Sequence, residues 1–135
     1  MENYKLITEK KGVERLVDDI FSTPWNSRLV KGLTQLSNGN GYRKEYQSIE
    51  FKHELSEYEL NMLQQPMPAR HILVSASYPA AEEDCEAYIS FEDFYKYLEK
   101  SIHQVLKRSA PEGFESLDKN EILQLLGEVK IALEI

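Results

Sequence analysis

Apolar residues along this chain change period twice, and the changes divide it into two helical ends around a strand-forming middle. Val13, Leu16, Val17, Ile20 and Phe21 recur at i, i+3, i+4, i+7 and i+8, the spacing that lines one face of an α-helix. Ser22-Thr23-Pro24 interrupts that stripe. Thr23 suits an N-cap, and Pro24 suits the first helical position, where a missing N–H costs nothing. Leu29, Val30, Leu33 and Leu36 predict a second helix, which Asn38-Gly39-Asn40-Gly41 ends because Gly and Asn tolerate positive φ.

From Ile49 the period drops to two. Ile49, Phe51, His53 and Leu55 alternate with Glu50, Lys52 and Glu54, which predicts a strand with one wet face. Tyr58, Leu60 and Met62 alternate with Glu57, Glu59 and Asn61, which predicts a second strand after a turn at Ser56-Glu57. Pro66 and Pro68 mark a connection. His71 to Tyr78 reads as a third, central strand, and Pro79 to Asp84 as a loop. Cys85 to Ile89 reads as a short fourth strand, with Cys85, Ala87 and Ile89 on one face.

The helical period returns at Ser90. Phe91, Phe94, Tyr95, Leu98, Ile102, Val105 and Leu106 follow it, with Ser90 as cap and Glu92 and Asp93 complementing the helix dipole. Pro111-Glu112-Gly113 is a break. Asp118 and Glu121 have capping-box spacing, and Ile122, Leu125, Leu126, Val129 and Leu133 build a last helix. Helices at the chain ends around consecutive strands predict an α+β fold. The expected architecture is a small antiparallel sheet of three to four strands packed against N-terminal and C-terminal helices, in a single domain over residues 1–135.

The 135 residues can bury a core without staples, and the net charge is −7. That charge is concentrated. From Glu45 to Asp93 eleven acids face two bases, Lys52 and Arg70, a net of −9, while the remainder nets +2. A surface with one sign of charge attracts the other. Nucleic acid is an unsuitable partner, because phosphate binding needs clustered Lys and Arg. No apolar run approaches the roughly 20 residues that cross a bilayer. The start, Met-Glu-Asn-Tyr-Lys, has no apolar segment of a signal peptide, so a cytoplasmic location is expected.

Candidate chemistry is sparse. His53, His71 and His103 form no HxH, HExxH or HxxxH pairing, so no zinc site is offered. His53 is expected on the apolar face of its strand. Cys85 is the single cysteine, which excludes an internal disulfide, and its acidic neighbours disfavour the thiolate. Gly39 and Gly41 lack the context of a phosphate loop, and residues 82–86 lack the spacing of a calcium loop. No cofactor or metal is expected. Tyr58 and Tyr97 fall outside the buried stripes beside carboxylates, a common recognition arrangement.

Ser90-Phe-Glu-Asp-Phe-Tyr-Lys-Tyr-Leu98, followed by an amphipathic helix, a proline break and a last helix ending Val129-Lys-Ile-Ala-Leu133, resembles the closing section of bacterial immunity proteins of contact-dependent growth inhibition systems. The resemblance covers about a third of the chain. It implies a non-catalytic protein that binds the toxin domain of a cognate effector and blocks its active site or substrate groove. Many such toxins are nucleases, whose grooves are basic. The expected contacts, taken from the acidic middle of the chain, are Glu50, Glu54, Glu57, Tyr58, Glu59, Glu82, Glu83, Asp84 and Glu86, the strand carboxylates projecting from one face and the 82–86 loop adding to the rim. The expected partner is therefore a basic toxin domain, foremost a nuclease, met by a monomer or weak homodimer. Two other readings stay open: a regulatory or adaptor module, and a small enzyme using His53. An enzyme is expected to show a concave pocket lined by His53, and an inhibitor a convex acidic face.

Overall fold

The apolar stripes converge on one face of a five-stranded sheet. A computed structural model of the chain describes residues 5–22, 25–77, 80–81, 83–108 and 116–135. Its elements are β1 (Lys5–Leu6), α1 (Lys10–Phe21), α2 (Asn26–Ser37), β2 (Tyr42–Lys44), β3 (Gln47–Phe51), α3 (Glu57–Asn61), β4 (His71–Ala76), β5 (Cys85–Ser90), α4 (Phe91–Lys107) and α5 (Lys119–Ala132). The strand order is β1-β5-β4-β3-β2. β1 runs parallel to β5, and the other neighbours are antiparallel.

The pleat sends alternate residues to opposite faces. One face carries Ile49 and Phe51 of β3, Ile72, Val74 and Ala76 of β4, and Cys85, Ala87 and Ile89 of β5. These pack with Val17, Ile20 and Phe21 of α1, Leu29, Leu33 and Leu36 of α2, Phe94, Leu98 and Ile102 of α4, and Ile122, Leu126 and Val129 of α5. α1 lies against α4 and β4, and α2 against α5 and β2. The opposite face is covered only in part. There Leu73 of β4 meets Leu55 and Met67 from the β3–β4 connection, with Leu60, Leu63 and Tyr88 half-buried around them. The fold is α+β, as the alternation of periods predicts.

Both late caps form. Ser90 Oγ accepts the Asp93 N–H at 3.2 Å, and the Asp118 carboxylate accepts the Glu121 N–H at 3.1 Å. Thr23, Pro24, Tyr78, Pro79, Glu82 and Pro111-Glu112-Gly113, which carry the predicted first cap, the end of the third strand and two breaks, lie outside the described residues.

Five expectations change. The sheet has five strands rather than three or four, because β1 and β2 add short edges at opposite sides. The predicted first strand stops at Phe51, and Lys52–Glu54 turns as a short 3₁₀ helix. His53 is therefore exposed instead of lying on an apolar face. The predicted second strand, Glu57 to Met62, is the helix α3. A capping box decides this: Ser56 Oγ accepts the Glu59 N–H at 3.1 Å, and the Glu59 carboxylate accepts the Ser56 N–H at 3.0 Å. Satisfying two end donors at once outweighs a weak alternation. Tyr97, expected at the surface, is half-buried against the main core.

Candidate functional site

The partly covered sheet face forms a groove of about 470 Å³. Its floor follows from strand register. Arg43 pairs with Ser48, Ser48 with Ser75, and Ser75 with Glu86, so these four side chains form one row across β2, β3, β4 and β5. Glu50, Leu73 and Tyr88 form the next row. One wall is the β3–β4 connection, with Leu55, Tyr58, Glu59, Met62, Leu63 and Gln64. The other end is the β2–β3 turn, with Glu45 and Tyr46. Among the described residues the lining holds four carboxylates, Glu45, Glu50, Glu59 and Glu86, and one base, Arg43.

Each groove carboxylate has its own environment. Glu86 is only 5 % exposed. Its Oε1 accepts from Gln64 Nε2 at 3.2 Å and from the Tyr88 hydroxyl at 3.4 Å. Burial pushes the Tyr88 phenol up, and the Glu86 charge adds to the effect. Glu50 accepts from the Ser48 hydroxyl at 3.4 Å. Burial raises the Glu50 carboxyl above its ordinary value; Arg43 opposes the shift and Glu59 adds to it. The bonds to the Ser56 backbone and hydroxyl hold the Glu59 carboxyl below its ordinary value. Tyr58 is 72 % exposed and Tyr46 51 % exposed, so two aromatic rings stand at the mouth.

The nine residues implied by the sequence part company here. Glu50, Tyr58, Glu59 and Glu86 line the groove together. Glu54 does not: its Oε1 accepts the backbone N–H groups of Phe51 at 2.8 Å and Gly41 at 2.9 Å. Glu57 is exposed on the first turn of α3, outside the lining. Glu83 pairs with Lys5 at 3.3 Å on the β1 edge. The Asp84 carbonyl accepts the Lys5 N–H at 2.8 Å, also at that edge. Glu82 lies outside the described residues. The acidic tract is thus split between the groove, the β1 edge and the start of α4, where Glu92 meets Arg70 at 3.1 Å.

Arg43, Glu45, Tyr46, Ser48, Ser75 and Gln64 belong to the groove and were not singled out from sequence. Arg43 and Glu45 sit on a three-residue strand and its turn, too short to show a period. Ser48 and Ser75 become legible only once register aligns them.

The groove is concave, not convex, and its lining does not include His53. Among the described residues no group of three or more His, Cys, Asp or Glu is placed to hold a metal ion. Nor, among them, is any helix long and apolar enough to cross a membrane. Burial raises the Cys85 thiol first, with Glu83 and Asp84 adding to the effect, so the thiolate is suppressed.

No curated protein and no solved structure matches the chain. A family model described as CDI immunity protein matches residues 13–113. That span runs from within α1 to past the end of α4 and contains every described residue lining the groove. With most of its length and its whole groove inside that match, this chain belongs to the CDI immunity protein family, the immunity proteins of contact-dependent growth inhibition.

Proposed function

We propose that this chain, acting as a single cytoplasmic domain and without catalysis, neutralises a basic toxin domain by receiving part of it in the groove on the open sheet face. The supporting observation is the groove itself: among the described residues, four carboxylates and one base around a polar floor that carries Leu73, beside a wall with Leu55, Met62 and Leu63, and two exposed tyrosines at the mouth. A protein surface of that composition suits a cationic, partly apolar protein segment. Aromatic anchors supply area, and carboxylates supply register and speed. The toxin class that best matches is a nuclease, since an enzyme that holds a polyanion presents a basic groove of its own. Opposite fields raise association to about 10⁸–10⁹ M⁻¹s⁻¹ at low salt, against roughly 10⁵–10⁶ without steering. A toxin domain that must be stopped before it cuts rewards that speed.

The test is stopped-flow association with the cognate toxin domain. Glu50→Lys with Glu59→Lys is expected to slow association about tenfold or more at low salt and to flatten its salt dependence. Glu99→Lys with Glu128→Lys, on α4 and α5 and outside the groove lining, is the matched control. If both pairs behave alike, the groove is not the docking surface. If the toxin cleaves neither DNA nor RNA, the nuclease assignment falls while the groove assignment stands.

A further inference from the structure

Glu86 occupies an unusual position for a carboxylate. It lies on β5, an interior strand, and is the only acid among the buried residues described. Both of its hydrogen bonds fall on Oε1, and both donors are neutral. Among the described residues no lysine, arginine or histidine forms an ion pair with it. Arg43, the one base in the lining, sits in the same row but three strands away. At about 4.8 Å per strand that is roughly 14 Å of backbone separation. Its charge acts on Glu50 instead. A glutamine would satisfy the same two donors without placing a carboxylate at a buried position. A buried charge is costly unless a cation meets it.

The surroundings specify what kind of cation. Glu50 stands two strands and one row from Glu86, roughly 12 Å away at the backbone, so the two cannot close around a small ion. Between them on β4 lie Leu73, paired with Glu50, and Ser75, paired with Glu86, and Leu63 and Met62 join them in the lining. A long side chain with an apolar stem and a charged head matches that sequence of surfaces, because such stems lie along apolar area while the head finds a polar partner.

We propose that the groove receives one lysine or arginine side chain of the toxin, its stem over Leu73 and its charged head on the Glu86 carboxylate, with Glu50 on the floor and Glu59 on the wall adding their attraction. This rests on the proposed toxin-binding function and deepens it, by naming the group that enters and the residue that holds it.

The experiment is equilibrium binding of the cognate toxin domain to the full chain and to Glu86→Gln, combined with single Lys→Met and Arg→Met substitutions across the toxin. E86Q keeps the volume and an acceptor for Gln64 and Tyr88, and is expected to weaken binding about 30-fold or more. One toxin substitution is expected to weaken binding to the native chain equally, and to have almost no further effect on E86Q. A scan in which no single toxin cation couples to residue 86 overturns the proposal. If E86Q does not fold, the scan against the native chain decides alone: no single cation costing about 30-fold refutes it. Ser75→Trp, which fills the middle of the floor, separates the two levels. Binding lost with Ser75→Trp but untouched by E86Q, with both variants folded by circular dichroism, keeps the groove and rejects the cation. Binding untouched by either variant rejects the groove.

Discussion

Replacing Glu54 with alanine tests whether the central acids share one role. One oxygen of Glu54 accepts two backbone N–H groups, from Phe51 at 2.8 Å and from Gly41 at 2.9 Å. It therefore ties the end of β3 to the loop that leads into β2. The approach is close: a Cβ on Gly41 would collide with the Ile49 carbonyl oxygen and sit 2.7 Å from the Glu54 carboxylate. Glu54→Ala leaves both donors to water. A hydrogen bond to a charged group contributes about 1.5–3 kcal/mol where it is sheltered, and exposed caps contribute about 0.5–2. The Phe51 bond is partly buried and the Gly41 bond exposed, so the two together come to about 2–3 kcal/mol.

Urea denaturation followed by circular dichroism reads that loss directly, and a melting curve should fall by roughly 3–5 °C for each kcal/mol in a chain of this size. Glu54→Gln keeps an acceptor and should recover part of it. Toxin association by the folded protein should stay within about twofold of native, because Glu54 is absent from the groove lining. Two results would refute the reasoning. One is a stability change below about 0.5 kcal/mol, the scale of an ordinary surface substitution. The other is a slower association rate with stability intact, which would place Glu54 on the binding surface.

Two further outcomes follow from the same geometry. Glu50→Gln should raise stability at neutral pH: its folded carboxyl titrates above the ordinary 4.5, so the native state favours the protonated form, and the stability that form contributes is present below 4.5 and lost as pH rises through the raised value. The advantage of Glu50→Gln should accordingly vanish as pH falls through that window, and melts at several pH values will show it. Arg70→Met removes contacts to Glu92, to the Leu133 and Glu134 carbonyls and to the Phe91 ring 5.3 Å away, and should cost about 1–2 kcal/mol, with faster hydrogen exchange at the chain end.

How far the sequence could be read depends on how many residues carry each signal. α4 shows a helical stripe from Phe91 to Leu106 with a serine cap, and α5 an aspartate cap; both form where their patterns place them. β4 is a short apolar run and β5 sets Cys85, Ala87 and Ile89 on one face, and the two pair in register. α3 went unread because five residues satisfy either period, although Ser56 and Glu59 held the same capping spacing as Asp118 and Glu121. β1 and β2, two and three residues long, exist only because neighbouring strands offer them hydrogen bonds.

The candidate site divides the same way. Charge is a sum over side chains, so the acidic middle of the chain was plain from composition, and so was the alternation that sets Glu86 opposite Cys85 and Ala87. Where each carboxylate ends depends on groups remote in sequence. Lys5 meets Glu83, Gly41 meets Glu54, Arg70 meets Glu92, and Gln64 closes over Glu86. Amino-acid order by itself determined the fold class, the late helices and the sign of the charge, because these follow from local periodicity and counting. Tertiary structure alone decided which acids share a groove, because cross-strand register and the fold-back of the β3–β4 connection are set by packing between segments that no local pattern links.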